Sequence, residues 1–143
     1  MHIGFTGTRQ GMTGLQINEF HRIIQELDTV RFVHGACHGA DLQAHDIVYR
    51  EKGIYIEVWP ATGAKTPDWD ALGWPNYIRP AKPPLDRNHD IVERCDLLIA
   101  TPHTVEEQLR SGTWATIRYA RKVHRPYRII RPCGQVVGVE DYG

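Results

Sequence analysis

A chain of 143 residues has room for one domain with a real core, and 41% apolar with 24% charged residues is an ordinary globular composition. Seventeen basic residues against seventeen acidic ones leave no net field, which excludes duplex binding driven by overall charge. No apolar run is long enough to span a bilayer, and Met1-His2-Ile3-Gly4 begins a strand pattern rather than a secretory signal, so a cytoplasmic location is expected. Cys37, Cys95 and Cys133 are odd in number and lack C-x-x-C spacing, which argues against a disulfide framework.

In chain order, residues 2–6 read as a strand ending at Gly7, and Leu15, Phe20, Ile23, Ile24 and Leu27 then recur at helical spacing. Val30 to His34 is a second strand stopped by Gly35, and Ala40, Ala44, Ile47 and Val48 mark a helix that closes near Gly53. Ile54 to Trp59 gives a third strand. From about 60 to 83 the periodicity dissolves into an irregular Pro-, Gly- and Trp-rich loop, too long for an ordinary connection. Ile91, Val92 and Cys95 restore a helix, Asp96 to Thr101 a strand, residues 113–124 a helix and residues 126–130 a last strand. Strands alternating with helices predict an α/β fold over residues 1–143: one Rossmann-like three-layer sandwich with a five-stranded parallel sheet of order 3-2-1-4-5. That order sets the loops after the first and fourth strands side by side, where open α/β sheets bind ligands.

Those loops have the chemistry of anion cradles. Gly7-Thr8-Arg9, followed by Gly11 and Gly14, offers backbone N–H groups and a guanidinium before a helix. The spacing is neither G-x-G-x-x-G nor a Walker sequence. Arg110-Ser111-Gly112-Thr113 presents a second cradle at another helix start. Between them, Gly35, Cys37 and Asp41 lie on the second loop, and Arg87 and Asn88 open the helix before the fourth strand. Asp41 and His45 are one helical turn apart and within hydrogen-bonding reach, with His45 expected to be a buried, hydrogen-bonded residue. His34, Cys37, His38 and Asp41 match no zinc spacing, so no metal and no cofactor are expected. Trp59, Trp69, Trp74 and Tyr77, in or beside the irregular loop, are either packing anchors or platforms for a base. Between Arg110 and Arg131 every charged side chain is basic, which reads as a phosphate-facing patch or a solvated helix face.

Taken together, Gly7-Thr8-Arg9, the Gly35-to-Asp41 segment with Ala44-His45, the Arg87-Asn88 pair and the Arg110-to-Thr116 segment resemble the Rossmann-like domain of the DNA-processing protein A family. More broadly they resemble the SLOG superfamily, over about residues 3–134. The resemblance implies a ligand carrying phosphate and ribose, and three uses: nucleotide-signal sensing, single-stranded DNA binding, or the phosphoribohydrolase chemistry of the lonely-guy enzymes. In those hydrolases a Gly-Thr pair is followed by a glutamate that works on the N-glycosidic bond. Alignment on Gly112-Thr113 puts Thr116 at its place, and a hydroxyl cannot replace a carboxylate there.

The expected function is therefore capture of a nucleotide or nucleotide-derived ligand, cyclic and ADP-ribose types included, by a SLOG-like sensor or sponge. The alternatives are an N-glycoside hydrolase, with Asp41, Glu106, Glu107 or Asp86 as carboxylate, and single-stranded DNA binding. A homo-oligomer paired through helices also stays open. Arg9 and Thr113 are both expected on exposed loops.

Overall fold

The computed structural model describes residues 1–143. The strands are β1 (His2–Gly7), β2 (Arg31–His34), β3 (Tyr55–Val58), β4 (Tyr77–Ile78), β5 (Leu97–Thr101), β6 (Tyr127–Ile130) and β7 (Val136–Val139). The helices are α1 (Gly14–Glu26), α2 (Ala40–Lys52), α3 (Trp69–Leu72), α4 (Pro84–Arg94) and α5 (Gly112–Lys122). All strands join one seven-stranded sheet of order β4-β3-β2-β1-β5-β6-β7.

The inner run β3-β2-β1-β5-β6 is parallel and carries the expected 3-2-1-4-5 order. The expected count of five strands and a wholly parallel sheet is corrected at both edges. β4 pairs parallel with β3, and β7 pairs antiparallel with β6. Tyr77–Ile78 is too short to show alternation and lies between Pro75 and Pro80. Gly138 interrupts β7, where a Cβ would come within 2.0 Å of the Tyr127 carbonyl oxygen. Residues 60–83 are accordingly no structureless loop. They contain α3 and β4, and Trp69 inserts into a small apolar cluster with Ala36 and Val58.

Period-two alternation assigns the two core layers. Phe5, Phe32, Leu97 and Ile99 face α1 and α2, whereas Val33, Leu98, Ala100 and Ile129 face α4 and α5. The first layer is centred on Phe5, Phe20 and Phe32, whose ring centroids stand 5.3 to 6.0 Å apart. At the carboxyl ends of the strands, Gly7 pairs with Thr101 and the Thr8 N–H donates to the Thr101 carbonyl at 3.1 Å. The β1 and β5 exit loops thereby leave the sheet together.

Candidate functional site

The two exit loops and the start of α4 enclose one cavity of about 450 Å³, within the range of about 300–1,000 Å³ of small-molecule sites. The β1 loop contributes Gly7, Thr8, Arg9 and Gln10, and the β5 side contributes Arg110, Ser111, Gly112 and Thr113. Cys37, Asp41, Arg87 and Asn88 complete the polar lining. Every residue expected at a ligand lines this cavity except Gly35. Thr6, His103 and Gln108 also line it and were not anticipated. The position of His103 just after β5, at the switch point, is the signal that marks it.

Gly35 has a different role. Its carbonyl accepts from Arg87 Nη1 at 2.8 Å, and a Cβ on it would lie 2.2 Å from the same nitrogen, so its bareness makes room for the guanidinium. Arg87 is almost wholly buried, yet makes no salt bridge. Nη1 also donates to the Trp59 carbonyl at 3.1 Å, Nε to Asn88 Oδ1 at 2.9 Å, and Nη2 to Cys37 Sγ at 3.3 Å. A guanidinium has five N–H donors, so one on Nη2 is unspent.

Asp41 lies beside it, 3% exposed. Its Oδ2 accepts from the Gly35 and Cys37 N–H groups, each at 3.2 Å, while Oδ1 is buried without a partner in the chain. Burial pushes the carboxyl up to about 6, against the Arg87 charge, the two N–H donors and the Cys37 thiol, which hold it down. Burial and the neighbouring Asp41 also raise the Cys37 thiol, which the Arg87 charge and its N–H donor oppose.

The Asp41–His45 bond that the spacing allows does not form, because His45 is buried and bonded elsewhere, as expected of it. His45 Nε2 lies 2.7 Å from the Gly73 carbonyl, and His45 Nδ1 lies 2.9 Å from His34 Nε2. His34 Nδ1 accepts from the Ala36 N–H at 3.0 Å. A carbonyl only accepts and an N–H only donates, so both rings are neutral and both protons sit on Nε2. The chain of bonds runs one way, from Ala36 through His34 and His45 to Gly73. Burial, reinforced by the Arg87 charge and by the repulsion that a proton on His45 would exert, holds His34 well below the usual imidazole range. Burial also lowers His45, which the Gly73 carbonyl and Asp46 partly offset.

The two cradles differ from expectation in two respects. Thr13 and Gln16 cap α1 by a reciprocal box, and neither Thr13 nor Gly14 reaches the cavity. The β1 loop acts through residues 7–10 alone. Gly39, at φ +86°, lets α2 start against that loop, since a Cβ would meet the Arg9 carbonyl oxygen at 2.3 Å. α5 does point at the cavity. Ser111 Oγ accepts from the Trp114 N–H at 3.2 Å, while the Gly112 and Thr113 N–H groups have no acceptor in the chain. Thr113 is buried rather than on an exposed loop, because the first turn of α5 already packs on the sheet. Arg9 and Arg110 are exposed.

Several sequence candidates lie elsewhere. Glu106 and Glu107 do not line the cavity, and Glu107 instead pairs with Arg118 and Arg121. Asp86 does not line it either. Thr116 is 1% exposed and donates to the Gly112 carbonyl at 2.8 Å. Trp59 and Trp69 are packing anchors, Trp74 bonds Asp70, and Tyr77 belongs to β4, so the aromatics of the 60–83 segment form no wall of this site. The basic stretch from Arg110 to Arg131 is partly neutralised by Glu107 and by Glu140, which pairs with Arg128. No helix is long and apolar enough to cross a membrane.

No family model and no curated protein matches the chain. Solved structures do. DNA processing protein A from Streptococcus pneumoniae superposes with a TM-score of 0.68 at 19% identity, over 90% of this chain and 49% of that one. The chain thus spans about half the length of that relative. The molybdenum cofactor binding protein from Rippkaea orientalis gives 0.65 at 17% identity, over 91% and 76% of the two chains. The structural-genomics target TM1055 gives 0.62 at 13%, over 88% and 71%. The chain thus shares its Rossmann-like α/β fold with these proteins, and the DNA processing protein A likeness read from the motifs is matched in three dimensions.

Proposed function

We propose that the cavity holds an anionic, nucleotide-type ligand without hydrolysing it. The observation that carries the reading is the convergence of the β1 and β5 exit loops on one cavity lined by Arg9, Arg87, Arg110 and His103 against a single carboxylate, Asp41. Such a lining is too polar for an apolar guest and suits a phosphate with a sugar. The unsatisfied N–H groups of Gly112 and Thr113 carry the positive end of the α5 dipole, about half an elementary charge, and would face the phosphate beside Arg110.

Hydrolysis is disfavoured on geometry. Thr116 stands in the place of a catalytic glutamate and is bonded to its own helix, and Glu107 is tied to two arginines outside the cavity. Single-stranded DNA is disfavoured because the aromatics that would stack successive bases lie outside the lining. One structural relative is named for binding a small cofactor, which accords with a small-molecule guest.

The test is calorimetry against nucleoside monophosphates, cyclic oligonucleotides and ADP-ribose derivatives, with bound material released by heat and weighed by mass spectrometry. Unaltered ligand at stoichiometric yield is expected, and Arg110→Ala should weaken its affinity about tenfold. Accumulating free base would overturn the holding role, and an affinity indifferent to Arg110→Ala would move the ligand out of this cavity.

A further inference from the structure

Asp41 and Arg87 are difficult to account for as structure alone. The charged carboxylate costs free energy to bury, and only one of its oxygens is hydrogen-bonded. The neighbouring guanidinium is buried with one N–H unspent and no carboxylate within salt-bridge distance. Both side chains line the cavity. One unused acceptor and one unused donor thus lie on the same wall of a site whose other arginines, Arg9 and Arg110, are exposed.

A phosphate fits this wall poorly, because Asp41 repels it and offers only a lone pair. A hydroxyl fits well, since it donates its proton to a carboxylate oxygen and accepts an N–H on the same atom. We infer that the Asp41–Arg87 wall is a sugar subsite: Asp41 Oδ1 accepts from the vicinal hydroxyls of a pentose while Arg87 Nη2 donates to one of their oxygens. The inference rests on the nucleotide reading above and deepens it by assigning polarity to the bound ligand. The phosphate lies toward Arg9, Arg110 and the α5 start, and the sugar diol lies against Asp41. A second consequence concerns selectivity. A 2-deoxy pentose phosphate would keep only one of the two hydroxyl donors to this buried carboxylate oxygen, so the subsite discriminates against the deoxy form.

Two probes, ribose 5-phosphate and 2-deoxyribose 5-phosphate, test it by calorimetry on the whole chain. Wild type is expected to favour the ribose form by about tenfold or more. Asp41→Asn keeps the two backbone bonds through its amide oxygen but turns the free acceptor into a donor, and should cut that preference at least about fivefold. Equal wild-type affinities for the two sugars would overturn the inference without need of a variant, as would a preference that Asp41→Asn leaves intact. If neither sugar phosphate nor inorganic phosphate binds, and Arg110→Ala changes nothing, the failure belongs to the anion site itself. Binding of both sugars with equal affinity and sensitivity to Arg110→Ala would retain that site and remove only the sugar subsite.

Discussion

Arg87 and Arg110 show how one residue type serves two ends in one cavity. Arg87 bridges Gly35, Trp59, Asn88 and Cys37, so its removal leaves two buried carbonyls unpaired. Arg87→Ala is expected to destabilise the fold by about 3 kcal/mol or more in urea unfolding. Arg110 is exposed and makes no bond that holds the fold, so Arg110→Ala should stay within about 0.5 kcal/mol of wild type. Comparable losses in the two variants would contradict the separation of a seating cation from a binding one. The same reasoning extends to Gly35, where Gly35→Ala drives a methyl into the Arg87 guanidinium and should cost about 1–3 kcal/mol by the same measurement. Little of this was legible from residue types. The sequence places Gly35 and Arg87 fifty-two positions apart, and only the β1–β2 and α4 packing brings them together.

At the scale of elements, alternation and helical period specify the inner five strands and their flanking helices, because each buries a face against the sheet. β4 and β7 escape that signal, since a two-residue strand between prolines and a strand broken by glycine have no pattern to read. That α1 does not serve the cavity is itself legible in the sequence. Thr13 and Gln16 stand at the T-x-x-Q spacing of a capping box, which already declares that the helix satisfies its own first N–H groups. α5 has only the Ser111 cap, and Ser111→Ala should cost about 1 kcal/mol of stability in thermal unfolding. Further along α5, Thr116→Glu tests whether the missing hydrolase glutamate can be restored by one change. The position is fully enclosed and the side chain is bonded back to Gly112, so an unpaired carboxylate there is expected to destabilise by about 3 kcal/mol or more and to release no base from nucleotides. A folded, hydrolytic Thr116→Glu variant would show that the helix presents this position to the cavity after all.

Across the whole molecule, the histidine chain joins what periodicity treats as separate parts: the cavity loop at Ala36, helix α2, and the 60–83 segment at Gly73. Asn76, which exchanges two hydrogen bonds with Ile56, and Arg79, which pairs with the buried Glu57, fasten the same segment to β3. The segment is therefore part of the sheet edge, and its attachment should depend on pH. Both histidines titrate lower in the folded chain than their ordinary 6.5, so the unfolded chain binds more protons below that value. Their contribution is complete above pH 6.5 and is lost as pH falls toward their folded values, each unit of depression being worth about 1.4 kcal/mol. Asp41 acts in the opposite direction, because its carboxyl rises from 3.8 to about 6 on folding and so favours the folded chain progressively as pH drops through about 6. Glu19 and Glu107, held low by Arg22 and by Arg121 and Arg118, lose their contributions only below 4.5 and leave the higher window clear. Two histidines against one carboxyl should make the melting temperature fall between pH 6.5 and 5, and Asp41→Asn should steepen that fall by removing the opposing group. His45→Gln should flatten it, since it removes one titrating ring and the charge that would bear on His34. A melting temperature that rises on acidification in wild type, or a slope that His45→Gln leaves unchanged, would mean that the two rings already carry a proton in the folded chain.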